Sequence, residues 1–395
     1  MANTLTIDQS SAVLRAVIKQ ATGQFALGEL DTAQLLTIGK KMVDRNAEPV
    51  MHAISQVISR TIFSARPYKR KFAELQRSPE AWGNIVRKIT ILESENDLQN
   101  NDYIPLDDGE SVDQYKVSKP KALQLNFIGQ QTYEIAKTIF DTQLNVAFNS
   151  EAEFGAFISS VFTYVYNKIE KIHEETARAT VAGMIAGRVA EHNADDTDNV
   201  VHLLSEYNAY TGKQLTKAQA LSEDNFGDFI KFVYAKIEDV SNRMTEYSTL
   251  FHKNMAEGMI IRHTPKECQK LLLYSPHFTQ AKTRVISGTY HENLLSLPGA
   301  EMVNYWQSIT TPESISVAKV VYIDDEGDTV EHEDVNVNNV FAVMFDVEAL
   351  GYSPILERTK TSPYNAKGEY RNIFWKFNER HWIDYTENSV VFLLD

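Results

Sequence analysis

Apolar residues recur along this chain with different periods, and each period predicts a different element. In "NSEAEFGAFISSVFTYVYNKIEKIHEETARATVAGMIAGRVAEHN", Phe154, Phe157, Ile158, Val161, Phe162, Val165, Ile169 and Ile172 return every three or four positions. That spacing is the stripe of an amphipathic helix, and Ser150 with Glu153 ahead of it forms a Ser-x-x-Glu capping pattern. The helix is expected over about residues 151–192, about 60 Å at 1.5 Å per residue, enough to cross a whole domain as a spine. Gly183 and Gly187 are expected to weaken or bend its far end. A second stripe, Phe226, Phe229, Ile230, Val233 and Ile237, marks another helix. Shorter stripes within residues 8–48 (Val13, Leu14, Val17, Ile18, then Leu35, Leu36, Ile38, Met42, Val43) predict a helical arm that packs on the main body.

The last third of the chain reads as strands. "VAKVVYIDDEGDTVEHEDVNV" predicts a hairpin turning at Asp325-Glu326-Gly327. "NVFAVMFDVEAL" predicts a buried strand, and Ile373, Trp375 and Phe377 alternate with Phe374, Lys376 and Asn378. The chain then closes on Val390-Val391-Phe392-Leu393-Leu394, a run so apolar that something must cover it, because terminal residues ordinarily fray. A helical arm, a polar excursion, a long helix, a mixed middle and terminal strands make an α+β protein rather than an alternating α/β one.

Charge changes this picture in one place. Arg66, Lys69, Arg70, Lys71, Arg77, Arg87 and Lys88 make one stretch basic; Glu93, Glu95, Asp97, Asp102, Asp107, Asp108, Glu110 and Asp113 make the next acidic. Either block alone is a solvated loop. Opposite blocks within one polar excursion predict a protruding arm that meets complementary charge on a neighbour. A net charge of −14 over 395 residues argues against a general nucleic-acid binder. It suits a protein that stays soluble when concentrated, or that does not adhere to nucleic acid lying beside it. No stretch is as long as a membrane span, and the N-terminal residues lack a signal-peptide pattern. Cys268 is the only cysteine, so no intrachain disulfide forms, and folding in a reducing cytoplasm is expected.

The patterns that would carry chemistry are incomplete. Gly212-Lys213 is followed by Gln214, and Tyr207 stands where a phosphate loop needs its first glycine. His173-Glu174 and His291-Glu292 begin like zinc helices, but Ala177 and Leu295 occupy the second-histidine positions. Cys268 near His263 has the types of a nucleophile and base, yet the apolar run after it predicts a buried structural thiol. Asp195-Asp196 and Asp324-Asp325 sit in turn-like stretches, and Trp306, Trp375 and Trp382 in core-like ones. The expectation is a protein with no catalytic residues, no cofactor and no metal motif.

Four segments carry a resemblance. They are "PVMHAISQVISRTIFSARPYKRKF", "LNVAFNSEAEFGAFISSVFTYVYNKIEK", "PKECQKLLLYSPHF", and "NVFAVMFDVEALGY" followed by "YRNIFWKFNERHWIDYTENSVVFLLD". In this order the chain resembles the major capsid proteins of tailed bacteriophages, of the Hong Kong 97-type fold. Within that group it looks most like those of small short-tailed podoviruses of Gram-positive bacteria. The resemblance implies an N-terminal arm over residues 1–64 and an extended loop over 65–127 that reaches over the next subunit. It also implies a peripheral domain of residues 128–193 and 337–395, and an axial domain of 194–336 with a possible hairpin insertion at 317–337. The implied partners are copies of the chain itself in hexamers and pentamers, portal and scaffolding proteins, and packaged double-stranded DNA by non-specific proximity, with no membrane. Lys69, Arg70, Lys71, Arg77, Glu93, Glu95, Asp107 and Asp108 are the inter-subunit candidates; Phe154, Phe157, Ile158, Val161, Phe162 and Val165 are the candidate spine-helix core. A cellular nanocompartment shell on the same fold and an unrelated soluble α+β enzyme are the alternatives.

Overall fold

The computed structural model describes residues 15–18, 37–38, 71–76, 86–92, 107–109, 115, 121–127, 130–143, 151–254, 260–277, 279, 300–324 and 328–395. The helical-arm expectation therefore lies almost wholly outside the described residues; within it, residues 15–18 are helical, with Val17 and Ile18 buried. The chain divides into two compact units. The first comprises Met1–Trp82, Gln130–Thr176 and Ser353–Arg380, the second Gly83–Gly129, Ala177–Tyr352 and His381–Asp395.

The first unit is built on strands β3 (Gln130–Phe140), β10 (Leu350–Thr361) and β11 (Tyr370–Ile383), in sheet order β10-β11-β3. β11 and β3 run antiparallel from Tyr370 opposite Phe140 to Arg380 opposite Gln130. Period-two alternation selects the buried face: Ile373, Trp375 and Phe377 from β11, Ile135 and Ile139 from β3. Helix α1 (Glu151–Asp195) buries Val161 and Val165 along its first half. Further along it, His173 pairs with Glu379 and lies 6.1 Å from the Phe377 ring, while the Thr176 hydroxyl donates to Glu379 at 2.8 Å.

The second unit holds a five-stranded sheet in the order β4-β12-β9-β5-β6. Its strands are β4 (Val200–His202), β5 (Gln269–Tyr274), β6 (Ala300–Val303), β9 (Val340–Asp346) and β12 (Ser389–Leu393). β12 pairs parallel with β4 and antiparallel with β9. Val390, Phe392 and Leu394 point into a cluster with Leu271, Leu273, Phe341 and Met344, while Val391 and Leu393 on the opposite face are buried too. An interior strand covered on both faces reads as an unbroken apolar run, which is what the chain's last residues require.

Helix α2 (Leu203–Thr211), the short α3 (Lys217–Ala220) and α4 (Glu223–Met244) close one face of that sheet. α4 buries Phe226, Phe229, Ile230, Val233, Ile237, Val240 and Met244, a three-and-four stripe, with Glu223 and Asp224 in its first turn and Arg243 in its last, as the helix dipole favours. Gly212 is the left-handed cap of α2 at φ 70°, so its glycine serves helix termination rather than a phosphate loop.

α1 does not stop at its glycines. A Cβ at Gly187 would overlap the Tyr385 ring and one at Gly183 would press on Ile383, and the Tyr385 hydroxyl donates to the Gly183 carbonyl at 3.1 Å. The glycines admit a neighbouring side chain against the helix backbone, and the helix continues to Asp195. Arg188, fully buried, donates to Ser389 Oγ (2.7 Å), to Glu191 (2.7 Å) and to the carbonyls of Tyr385 (2.8 Å) and Glu387 (2.9 Å). Four acceptors around one guanidinium satisfy a charge that burial alone would make prohibitive.

Two ribbons complete the second unit. β7 (Ile315–Ile323) and β8 (Thr329–Val337) form the expected hairpin; its turn at 325–327 lies outside the described residues, though Asp324 Oδ1 accepts from Asp328 N across it at 2.8 Å. β1 (Val86–Leu92) and β2 (Lys121–Phe127) pair antiparallel from Val86 opposite Phe127 to Leu92 opposite Lys121.

Candidate assembly surfaces

The β1–β2 ribbon packs one face and leaves two isoleucines on the other. Lys88, Thr90 and Leu92 face one way, Arg87, Ile89 and Ile91 the other, as a strand's period of two demands. The side that packs carries Lys88, Thr90 and Leu92, with Leu123 and Leu125 opposite on β2. Lys88 Nζ donates to Asp384 at 2.7 Å and to Glu387, and Arg262 lies 3.2 Å from Glu387 while donating to Thr90 Oγ1 at 3.1 Å and the Thr386 carbonyl at 3.2 Å. Burial raises the Glu387 carboxyl above its ordinary range against the pull of Lys88 and Arg262; Asp384 pushes it the same way as burial. For Lys88 burial pulls the ammonium down, but Asp384 and Glu387 outweigh it and hold it above its ordinary value. On the outward side Ile89 and Ile91 are 62% and 69% exposed, opposite exposed Gln124 and Ala122. Arg87 and Asn126 extend the same exposed face, and Gln124 donates to Asn126 at 3.0 Å across it.

Three of the eight predicted charged candidates fall within the described residues. Lys69, Arg70, Arg77, Glu93 and Glu95 lie outside the described residues. Lys71 is half-buried and its backbone N–H donates to Glu174 at 3.3 Å, and Asp107 and Asp108 are exposed in a turn with Gly109 at φ 94°. On α1, Phe157 is half-buried and Val161 and Val165 are buried, while Phe154, Ile158 and Phe162 lie on the helix with side chains outside the described residues. The ribbon was missed because "VRKITIL" sits beside the basic block and reads as part of a polar excursion. Its alternation of Ile with Lys and Thr was the signal available.

The enzyme-like fragments resolve into structure. Trp306 is buried and donates from Nε1 to the Val340 carbonyl at 2.8 Å, Trp375 lies in the first unit's core, and Trp382 packs over Gly351. Asp195 pairs with Lys253 at 3.3 Å. Cys268 corrects an expectation: it is half-exposed rather than buried, because it ends a single helical turn at the mouth of β5. Partial burial, then the charges of Asp346, Glu267 and Glu348, push its thiol up, away from the thiolate that nucleophilic chemistry needs. Among the described residues no group of three or more His, Cys, Asp or Glu is disposed to hold a metal, and no helix is long and apolar enough to cross a membrane.

Solved structures place the fold. A chain in the capsid structure of Staphylococcus phage Andhra matches with a TM-score of 0.54 at 10% identity, over 85% of this chain and 87% of that one. A chain in the structure of the head fiber and inner core protein of native bacteriophage P68 matches with a TM-score of 0.52, also at 10% identity, over 85% and 87%. The architecture is thus that of a phage capsid protein, as the α+β order of elements and its Hong Kong 97-type resemblance lead one to expect. A sequence profile of the Phi29-like phage major capsid protein family matches residues 14–393, and the chain belongs to that family. It is a structural component of a phage capsid and not an enzyme; the nanocompartment and enzyme alternatives fall away. No curated protein sequence matches the chain.

Proposed function

We propose that hundreds of copies of this chain, as hexamers and pentamers, close into the icosahedral head of a short-tailed phage around double-stranded DNA. Assembly takes place in the host bacterial cytoplasm, with scaffolding and portal proteins as partners. In this reading residues 1–64 are an arm and 65–127 an extended loop; residues 128–193 and 337–395 form the peripheral domain and 194–336 the axial domain. Many modest contacts, each reversible, sum over a closed lattice without free edges. Burial per subunit then exceeds the roughly 2,000 Å² of permanent interfaces.

The observation that carries the proposal is the outward face of the β1–β2 ribbon, where Ile89 and Ile91 stand in solvent while the charges behind them are paired. The net charge of −14 supports a lumen to which packaged DNA does not adhere. Negative-stain microscopy and sizing of the expressed full chain test the proposal. Closed shells, alone or with co-expressed scaffolding protein, are expected; a protein that stays monomeric under both conditions overturns it.

A further inference from the structure

Two histidines of the second unit face each other in a way that hydrogen bonding alone does not satisfy. His192 lies in the last turn of α1 and His202 ends β4. Their Nε2 atoms are 3.4 Å apart, with ring centroids at 5.4 Å. Each ring is fixed from behind: His192 Nδ1 lies 2.6 Å from the Thr197 carbonyl, and His202 Nδ1 lies 2.7 Å from Asp395 Oδ1. A carbonyl and a carboxylate only accept, so both Nδ1 atoms carry the proton and donate. In the neutral rings both Nε2 atoms are then bare acceptors with lone pairs directed at one another. A proton on one Nε2, or a metal ion bound by both, turns that repulsion into attraction.

The dimensions fit a metal ion. Two Zn–N bonds of about 2.05 Å that span this gap subtend about 110°, the tetrahedral angle. The partners behind the rings are those that orient metal-bound imidazoles: a backbone carbonyl on one and a carboxylate on the other. The local charge favours a cation as well, since the connection between α1 and β4 carries exposed Asp195, Asp196 and Asp198. The Asp395 side chain is 43% exposed and that of His202 39%, so ions and water reach the pair. Nitrogen ligands select a borderline divalent ion over Mg²⁺ or Ca²⁺.

We propose that His192 and His202 form a binding site for Zn²⁺ or a similar borderline divalent ion, with water completing its coordination. With two protein ligands the site differs from the zinc helices that the sequence patterns were searched for, and its residues are ten positions apart on different elements.

Isothermal titration of the full-length protein with ZnCl₂ at neutral pH tests this. One Zn²⁺ per chain is expected, with saturable binding lost in both His192→Ala and His202→Ala. Asp395→Asn should weaken binding by about 10–100-fold, the usual effect of removing a carboxylate behind a ligating imidazole. Binding unchanged in His202→Ala, or no saturation near one equivalent, overturns the site. A measurement that needs no variant covers the case in which the alanine proteins misfold. Diethyl pyrocarbonate modifies exposed imidazole nitrogen, and Zn²⁺ should protect His192 and His202 while leaving exposed His263 reactive. Equal modification of all three with and without Zn²⁺ contradicts the proposal.

Discussion

β12 and β1 are strands of the same unit, and they are used in different ways. β12 lies inside the five-stranded sheet with every residue buried. β1 turns Lys88 inward to Asp384 and Glu387 and Thr90 to Arg262, and leaves Ile89 and Ile91 in solvent. β12 is stabilised by its own chain: apolar area removed from water contributes roughly 25 cal/mol per Å². The outward face of β1 has no such contribution until something outside the chain covers it. Apolar residues thus take two kinds of position here, those buried by the chain itself and those it leaves exposed.

The largest effects should come from breaking the folded side of this contrast. Val391→Asp places a carboxylate where no water and no cation reach it, at a cost of about 4 kcal/mol or more, and should give insoluble protein on expression. Arg188→Met removes the partner of buried Glu191 and the donor to two carbonyls; a loss of about 3 kcal/mol is expected in denaturant unfolding, with Lys253 at 3.6 Å limiting the damage.

Lys88→Met attacks the junction between the two regions. It strips Asp384 of its ammonium while Arg262 still serves Glu387, so about 2 kcal/mol should be lost, read as faster amide exchange in β1 than in β12. Exchange that rises equally in both strands would deny that the ribbon is a separately anchored element.

A smaller effect sharpens the packed side. Burial holds the imidazoles of His252, His277 and His381 below their ordinary value of 6.5; Glu313 pulls against it at His277, and hydrogen bonds to Ile260 and Asn388 do so at His252. The folded state therefore binds fewer protons than the unfolded one, so stability is complete above about pH 6.5 and declines as pH falls below it. Thermal unfolding between pH 7.5 and pH 5 should show a falling midpoint, and a flat profile would remove these residues from the account. The smallest effect on the subunit should come from Ile89→Ser with Ile91→Ser: unfolding within about 0.5 kcal/mol of wild type per site, yet impaired assembly.

What could be read from the sequence follows the same divide. The α4 stripe, the all-apolar β9, the alternation in β11 and the β7–β8 pair were legible because burial by the chain itself imposes a period. The polar groups inside were not: Arg188 with Glu191, or Lys88 with Asp384, are set by contacts between residues far apart in sequence or by geometry that no periodicity encodes. The glycines of α1 were misread for a related reason, since propensity registers the cost of glycine within a helix but not Tyr385 lying against it. The basic and acidic blocks drew attention by composition, whereas the exposed apolar surface of the same excursion is two isoleucines in an alternation that resembles any half-buried strand.

The most direct measurement labels the ribbon's outward face. In a Cys268→Ser background, Ile91→Cys should react fully with a maleimide in dissociated subunits and be protected in assembled particles. Equal labelling in both states would contradict the claim that a neighbouring copy covers this face.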